Sequence, residues 1–173
     1  MSRLSDLLGQ LKSPHVMYRT RAAKELGELG DPVAGPALIA ALADDSHLVR
    51  DNTAFALGLL RCREAVEPLV GALADPHPWV RKSAAKALGM IGDPRACRGL
   101  AGALSDEESM VRKSAARSLG QIGDPSAAPA LERALKDPSV LVKEAVGKAL
   151  EAIRKPQRAT AQLRNGRAES EER

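Results

Sequence analysis

The chain has 173 residues, 44% of them hydrophobic but only 2% aromatic, and its 26 Lys and Arg against 22 Asp and Glu leave a formal charge of +4. That length fits one domain at about 150 residues per domain, and three aromatics (Tyr18, Phe55 and Trp79) exclude both an aromatic core and a row of base-stacking platforms. Two cysteines, Cys62 and Cys97, exclude a disulfide framework, and the small positive excess does not demand nucleic acid.

The N-terminal MSRLSDLLGQ lacks the apolar stretch of a signal peptide. No apolar run approaches the length of about 18 residues that a membrane helix needs. These features lead to the expectation of a cytoplasmic protein that does not enter a membrane. The first predicted element is a short helix with Leu4, Leu7, Leu8 and Leu11, half a unit over 2–12. A repeat then takes over. Arg19, Arg50, Arg81, Arg112 and Lys143 lie 31 residues apart, and so do Asp44, Asp75, Asp106 and Asp137. Leu26, Leu57, Leu88, Leu119 and Leu150 keep the same step. Units fall near 13–43, 44–74, 75–105 and 106–136, succeeded by a terminal helix over 137–154.

Each unit reads as two helices. In the third, Val80, Ala84, Ala87, Leu88 and Ile91 mark one buried face of a first helix from Trp79 to Gly92. Gly92 ends it, Asp93 caps a second helix, and Pro94 opens that helix, which runs to Leu104. The Gly-Asp-Pro triplet recurs at 30–32, 92–94 and 123–125, whereas unit two has Arg61-Cys62-Arg63 there. A helix pair cannot bury its apolar face alone, so the units must stack. The expected fold is all-α: a right-handed α-α superhelix of about four and a half helix pairs over 1–154. The segment 155–173 is polar and charged, and reads as a disordered tail.

The stretches VRDNTAFALGLL (49–60), VRKSAAKALGMIGDP (80–94) and VRKSAARSLGQIGDP (111–125) resemble the HEAT-repeat superfamily in its short, phycobilin-lyase-type form. YRTRAAKELGELGDP (18–32) is a variant copy with Tyr18 in place of Val. The resemblance implies a solenoid, and for most members protein binding. It also implies weaker alternatives: a bilin lyase-type subunit or chaperone, or a nucleic-acid binder. A di-iron hydroxylase branch of the superfamily uses His-Glu pairs, and this chain has none.

We expect a non-enzymatic interaction or scaffold module that needs no cofactor or metal. Its expected partner is a helix or extended segment of another protein on the concave face. Nucleic acid is the disfavoured partner, and end-to-end self-association is a further expectation. The second helices are expected to line the concave side. Their outward positions give the binding candidates Ile39, Ala43, Glu67, Val70, Ala74, Arg98, Ala101, Arg133 and Lys136. Ile39 and Val70 would anchor an apolar side chain, and Arg98, Arg133 and Lys136 would discriminate charge. Phe55, His77 and Trp79 are secondary candidates. Lys24, Lys82, Lys86, Lys113, Arg117 and Lys148 form a basic row on the first helices. The Arg and Asp series is read as structural: a guanidinium can tie an Asp and a loop carbonyl together and so fix neighbouring repeats. His15 and His77 occupy equivalent loops roughly 20 Å apart, two helix-packing distances, too far to share a metal.

Overall fold

The computed structural model describes the backbone of residues 2–171 and the side chains of residues 2–155. Long and short helices alternate. The long ones are α2 (Val16–Leu29), α4 (His47–Leu59), α6 (Pro78–Ile91), α8 (Ser109–Ile122) and α10 (Val140–Glu171). The short ones are α1 (Arg3–Gln10), α3 (Gly35–Ala41), α5 (Val66–Ala72), α7 (Cys97–Ala103) and α9 (Ala128–Ala134). No strand occurs among the described residues. The chain is an α-solenoid. Of the expected polar tail over 155–173, every side chain after Lys155 lies outside the described residues, and the backbone of α10 runs on through Glu171.

The second helix expected from Pro94 to Leu104 divides in two. A 3-10 turn, Pro94–Ala96, precedes α7. The Asp93 carboxylate accepts the Arg95 amide, and the Ala96 amide bonds back to the Asp93 carbonyl at 3.1 Å. This cap holds the tighter i→i+3 geometry. Gly30, Gly92 and Gly123 end their long helices at φ between 72 and 74°, where a Cβ is costly. In unit two that left-handed place is held by Arg61, at φ 48°, and Cys62 gives no side-chain cap where Asp stands elsewhere.

Leu26, Leu57, Leu88 and Leu119 of the long helices and Leu38, Leu69, Leu100 and Leu131 of the short ones are fully buried. Each contributes about 1.5–3 kcal/mol relative to exposure, and together they form one core through the stack. The long helices meet along a seam of small residues. A Cβ at Gly27 would stand 2.7 Å from Ala56 Cα, one at Gly58 2.7 Å from Ala87 Cα, and one at Gly120 2.8 Å from Ala149 Cα. At the fourth junction Gly89 faces Ser118, whose hydroxyl donates to the Ala85 carbonyl at 2.8 Å. Without Gly on one side and a small residue on the other, these backbones would be forced apart.

Four arginines cross from one unit to the next. Arg81 Nε donates to Asp106 Oδ2 at 2.7 Å and its Nη2 to Asp106 Oδ1 at 2.9 Å, while Nη1 donates to the Asp75 carbonyl at 3.0 Å. Arg19–Asp44, Arg50–Asp75 and Arg112–Asp137 repeat the fork at the same separation of 25 residues. Each Asp also accepts the backbone amide two residues on, as Asp75 does from His77 at 2.8 Å. One Asp therefore serves two arginines, the previous unit's through its carboxylate and its own unit's through its carbonyl. Lys143, the fifth member of the series, is exposed and stands outside the ion pairs of the described residues.

Candidate functional site

The two helix layers are spaced differently. The backbone of each long helix packs closely on the next, whereas the backbones of successive short helices stand farther apart. Shallow clefts separate the short ones. One of about 450 Å³ is lined by Ile39, Ala43 and Ala74, and one of about 260 Å³ by Val70, Ala74 and Gly102. A two-layer stack bends toward its closer-spaced layer. The long helices therefore form the inner layer and the short helices the outer one, the reverse of the expectation that second helices line the concave side. Sequence alone concealed this because the decisive residues, glycine and alanine at the seam, look like ordinary helix composition.

The short-helix candidates lie on that outer layer. Ile39 and Val70 are half-buried and pack against the core rather than projecting as anchors. Val70 fills the space beside Gly99, with Cγ1 2.9 Å from where a Cβ would stand. Ala101 is half-buried, and Ala43, Glu67, Ala74, Arg98, Arg133 and Lys136 line the same layer with at least partial exposure. Arg98, Arg133 and Lys136 are spread over α7, α9 and the turn after it, and no ion pair among the described residues joins them to Glu67.

The inner layer carries the larger apolar groups. Met17, Leu48, Trp79, Met110 and Leu141 take the same place at the start of successive long helices. Met17 is 72% exposed, Trp79 49% and Leu141 56%. Beside them runs the basic row. Lys82 Nζ lies 4.4 Å from the Trp79 ring centroid, and Lys86 Nζ 4.4 Å from that of Phe55. These two aromatic candidates thus belong to one surface, each with an ammonium on its face. Between α8 and α10 an open cleft of about 550 Å³ is lined by Lys113, Arg117, Lys148 and Glu144 with Gly120 and Ala149.

His77 has a partner that its repeat position did not suggest. Its ring stacks on His47 at the start of α4, centroids 3.8 Å apart and planes 12° from parallel. Positions 47 and 77 fall one residue short of a full repeat, so the loop of unit three settles on the helix start of unit two. Among the described residues no group of three or more His, Cys, Asp or Glu is placed to hold a metal ion. Burial pushes the Cys62 thiol up, and Cys62 Sγ donates to Glu64 at 3.5 Å. Burial likewise raises Cys97. Neither has the depressed value of a reactive thiolate.

The rung carboxylates are held in their charged form. The Arg19 hydrogen bonds bring Asp44 down to about 2. Burial alone pushes Asp106 up, but the Arg81 hydrogen bond and the Glu108 amide bring it below the usual range. These groups are committed to joining units rather than to proton transfer. No described helix is long and apolar enough to cross a membrane.

Comparison with known proteins agrees with this architecture. A subunit in the complex of CpcE and CpcF of phycocyanin lyase from Nostoc sp. PCC7120 superposes with a TM-score of 0.81 at 28% identity, covering 90% of this chain and 66% of that one. This chain thus spans just under two thirds of that subunit. A designed armadillo repeat protein in complex with the peptide (KR)4 gives a TM-score of 0.70 at 22% identity, covering 87% of this chain and 81% of that one, a likeness of fold. No match was found among curated proteins. A PBS lyase HEAT-like repeat matches residues 18–44. HEAT repeats match residues 35–116 and 98–173, and with four Arg–Asp rungs linking the five long helices, the chain belongs to the HEAT-repeat family.

Proposed function

We propose that this chain is a protein-interaction module that holds a segment of a partner protein on its inner, long-helix face, without turnover. The carrying observation is the row of apolar side chains, Met17, Leu48, Trp79, Met110 and Leu141, repeated once per unit, four of them exposed. Five apolar residues in register on a preformed surface cost solubility unless a partner covers them. The lyase subunit it resembles is found in a complex of two chains, which supports a protein as the partner.

The test is a photo-crosslinking amino acid placed at Trp79 or Leu48 on the inner face, and at Arg98 or Ala101 on the outer one, in the full chain within a native extract. Crosslinks to one protein from the inner positions support the proposal. Crosslinks from the outer positions alone move the site to the clefts beside Ile39 and Val70. The same lyase likeness favours a second reading, a bilin lyase-type subunit or chaperone. It requires bilin to bind, which appears as a shift in visible absorbance on mixing. An unchanged spectrum removes it.

A further inference from the structure

We propose that the inner face is built for an acidic amphipathic helix lying along the stack, across the long helices, and not for a nucleic acid. This rests on the reading that the inner face takes a protein, and it names the chemistry of that partner. Lys82, Lys86, Lys113, Arg117 and Lys148 share this face, and none makes an ion pair among the described residues. Lys24 is paired, 3.8 Å from Glu28, and the Asp51 carboxylate in unit two accepts from the Ser83 hydroxyl but keeps its charge. Glu144 is the acidic side chain lining the cleft with Lys113, Arg117 and Lys148. The surface thus offers unneutralised cations over units three to five, bordered by the apolar row at Leu48, Trp79, Met110 and Leu141.

The aromatic rings separate the two kinds of polyanion. Single-stranded nucleic acid is held by stacking bases on free aromatic faces. Here Trp79 and Phe55 each carry a lysine ammonium at 4.4 Å, so that face is occupied. A carboxylate needs no free ring. It meets the ammonium directly while an apolar neighbour packs on the ring edge or on the adjoining Leu48 and Met110. The spacing suits a helix. Packed helices lie about 8–10 Å apart, and seven residues of α-helix rise about 10.5 Å. A helix along the stack therefore presents the same edge to each unit once per heptad. It would carry a large apolar residue at that step, with Asp or Glu three or four positions on, where side chains share a face. The small floor at Gly120, Ala145 and Ala149 lets its backbone come close in the cleft between α8 and α10.

The probe is a synthetic heptad peptide with one Leu and two Glu on a common face, titrated into the full chain by fluorescence anisotropy. Its comparators are the same peptide with Lys for Glu, the same peptide with Ser for Leu, and single-stranded and duplex DNA. The expected result is binding of the Glu peptide at least about tenfold tighter than of either altered peptide or DNA, a gap of about 1.4 kcal/mol. Combining K82E, K86E, K113E and R117E, with folding checked by circular dichroism, should reverse the preference toward the Lys peptide. The peptide charge swap on the unaltered protein keeps the test decisive if that variant misfolds. Equal affinity for Glu and Lys peptides overturns the proposal, and so does tighter binding of DNA. If crosslinking at Trp79 captures a protein while the Glu peptide shows no preference, the acidic chemistry falls and the interaction module stands. If both fail, both fall.

Discussion

Removing Asp106 tests whether the rungs hold the stack. Arg81 is the most enclosed of the four arginines at 8% exposed, and its partner Asp106 is 9% exposed. In Asp106→Ala the Arg81 guanidinium keeps the carbonyls of Asp75 and Pro76 at 3.0 and 3.4 Å and the Glu107 carboxylate at 3.0 Å, but loses both bonds of the fork. Stranding a buried charge costs about 3–5 kcal/mol, and losing the Glu108 amide bond adds about 1 kcal/mol. Glu107, 81% exposed, recovers part of this, so the net expectation is about 3 kcal/mol. At about 2–4 °C per kcal/mol for a chain of this size, the melting temperature falls by about 6–12 °C. Arg81→Met combined with Asp106→Ala should regain at least half of the loss, because no buried charge remains. Thermal and urea denaturation by circular dichroism read the loss. Hydrogen exchange should localise it to α6, α7 and α8, since repeats open piecewise. A loss under about 1 kcal/mol, the range of an exposed ion pair, or a double variant weaker than the single one, refutes the reasoning.

Two glycines should respond with opposite signs. Gly58→Ala drives a Cβ to 2.7 Å from the Ala87 backbone, and overpacking of about 1–3 kcal/mol outweighs a helix-propensity gain of about 1 kcal/mol. Gly71→Ala meets nothing within 4 Å and should stabilise by about 0.5–1 kcal/mol; urea midpoints distinguish the pair. Arg61→Gly relieves the positive φ of unit two and should stabilise by about 1 kcal/mol, an expectation refuted by an unchanged or lower melting point. Acid should weaken the stack. Asp44 moves from 3.8 down to about 2 on folding, and Asp75, Asp106 and Asp137 are lowered as well. Their contribution is complete above the unfolded value and is lost as pH falls through the folded one. Urea midpoints should therefore hold from neutrality to about pH 5 and fall between about pH 4 and 2, and Asp44→Asn should flatten part of that fall.

The repeat was legible in the sequence because the residues that hold it are chemically unlike their neighbours. Arg19, Arg50, Arg81 and Arg112, the Leu column and the Gly-Asp-Pro turns each stand out at one step. Which Asp each Arg reaches was less plain. Asp75 and Arg81 flank the same turn, yet the carboxylate that Arg81 grips is Asp106, with the Asp75 carbonyl as the local tie. The inner face was hidden for a different reason. Spacing within one helix tells which residues share a side, but not which layer of a double stack is tighter. That depends on Gly27 meeting Ala56 and Gly58 meeting Ala87, contacts between units. The His47–His77 stack is invisible to a comparison of equivalent positions, which looks along columns, because this contact is diagonal.

The glycine seam changes its residues in the first and last long helices. In its column Gly27, Gly58, Gly89 and Gly120 are succeeded by Glu151, and the facing column of Ala56, Ala87, Ser118 and Ala149 begins with Glu25. Glu25 is tied back by Arg21 at 2.8 Å and Arg3 at 3.5 Å, and Glu151 is exposed. A second copy docked head to tail would press one carboxylate on another where every internal junction needs two of the smallest residues. Head-to-tail addition of a second copy at this seam is therefore expected to be disfavoured. Exchanging both, Glu25→Ala with Glu151→Gly, should convert the chain into one whose apparent mass by light scattering climbs with concentration.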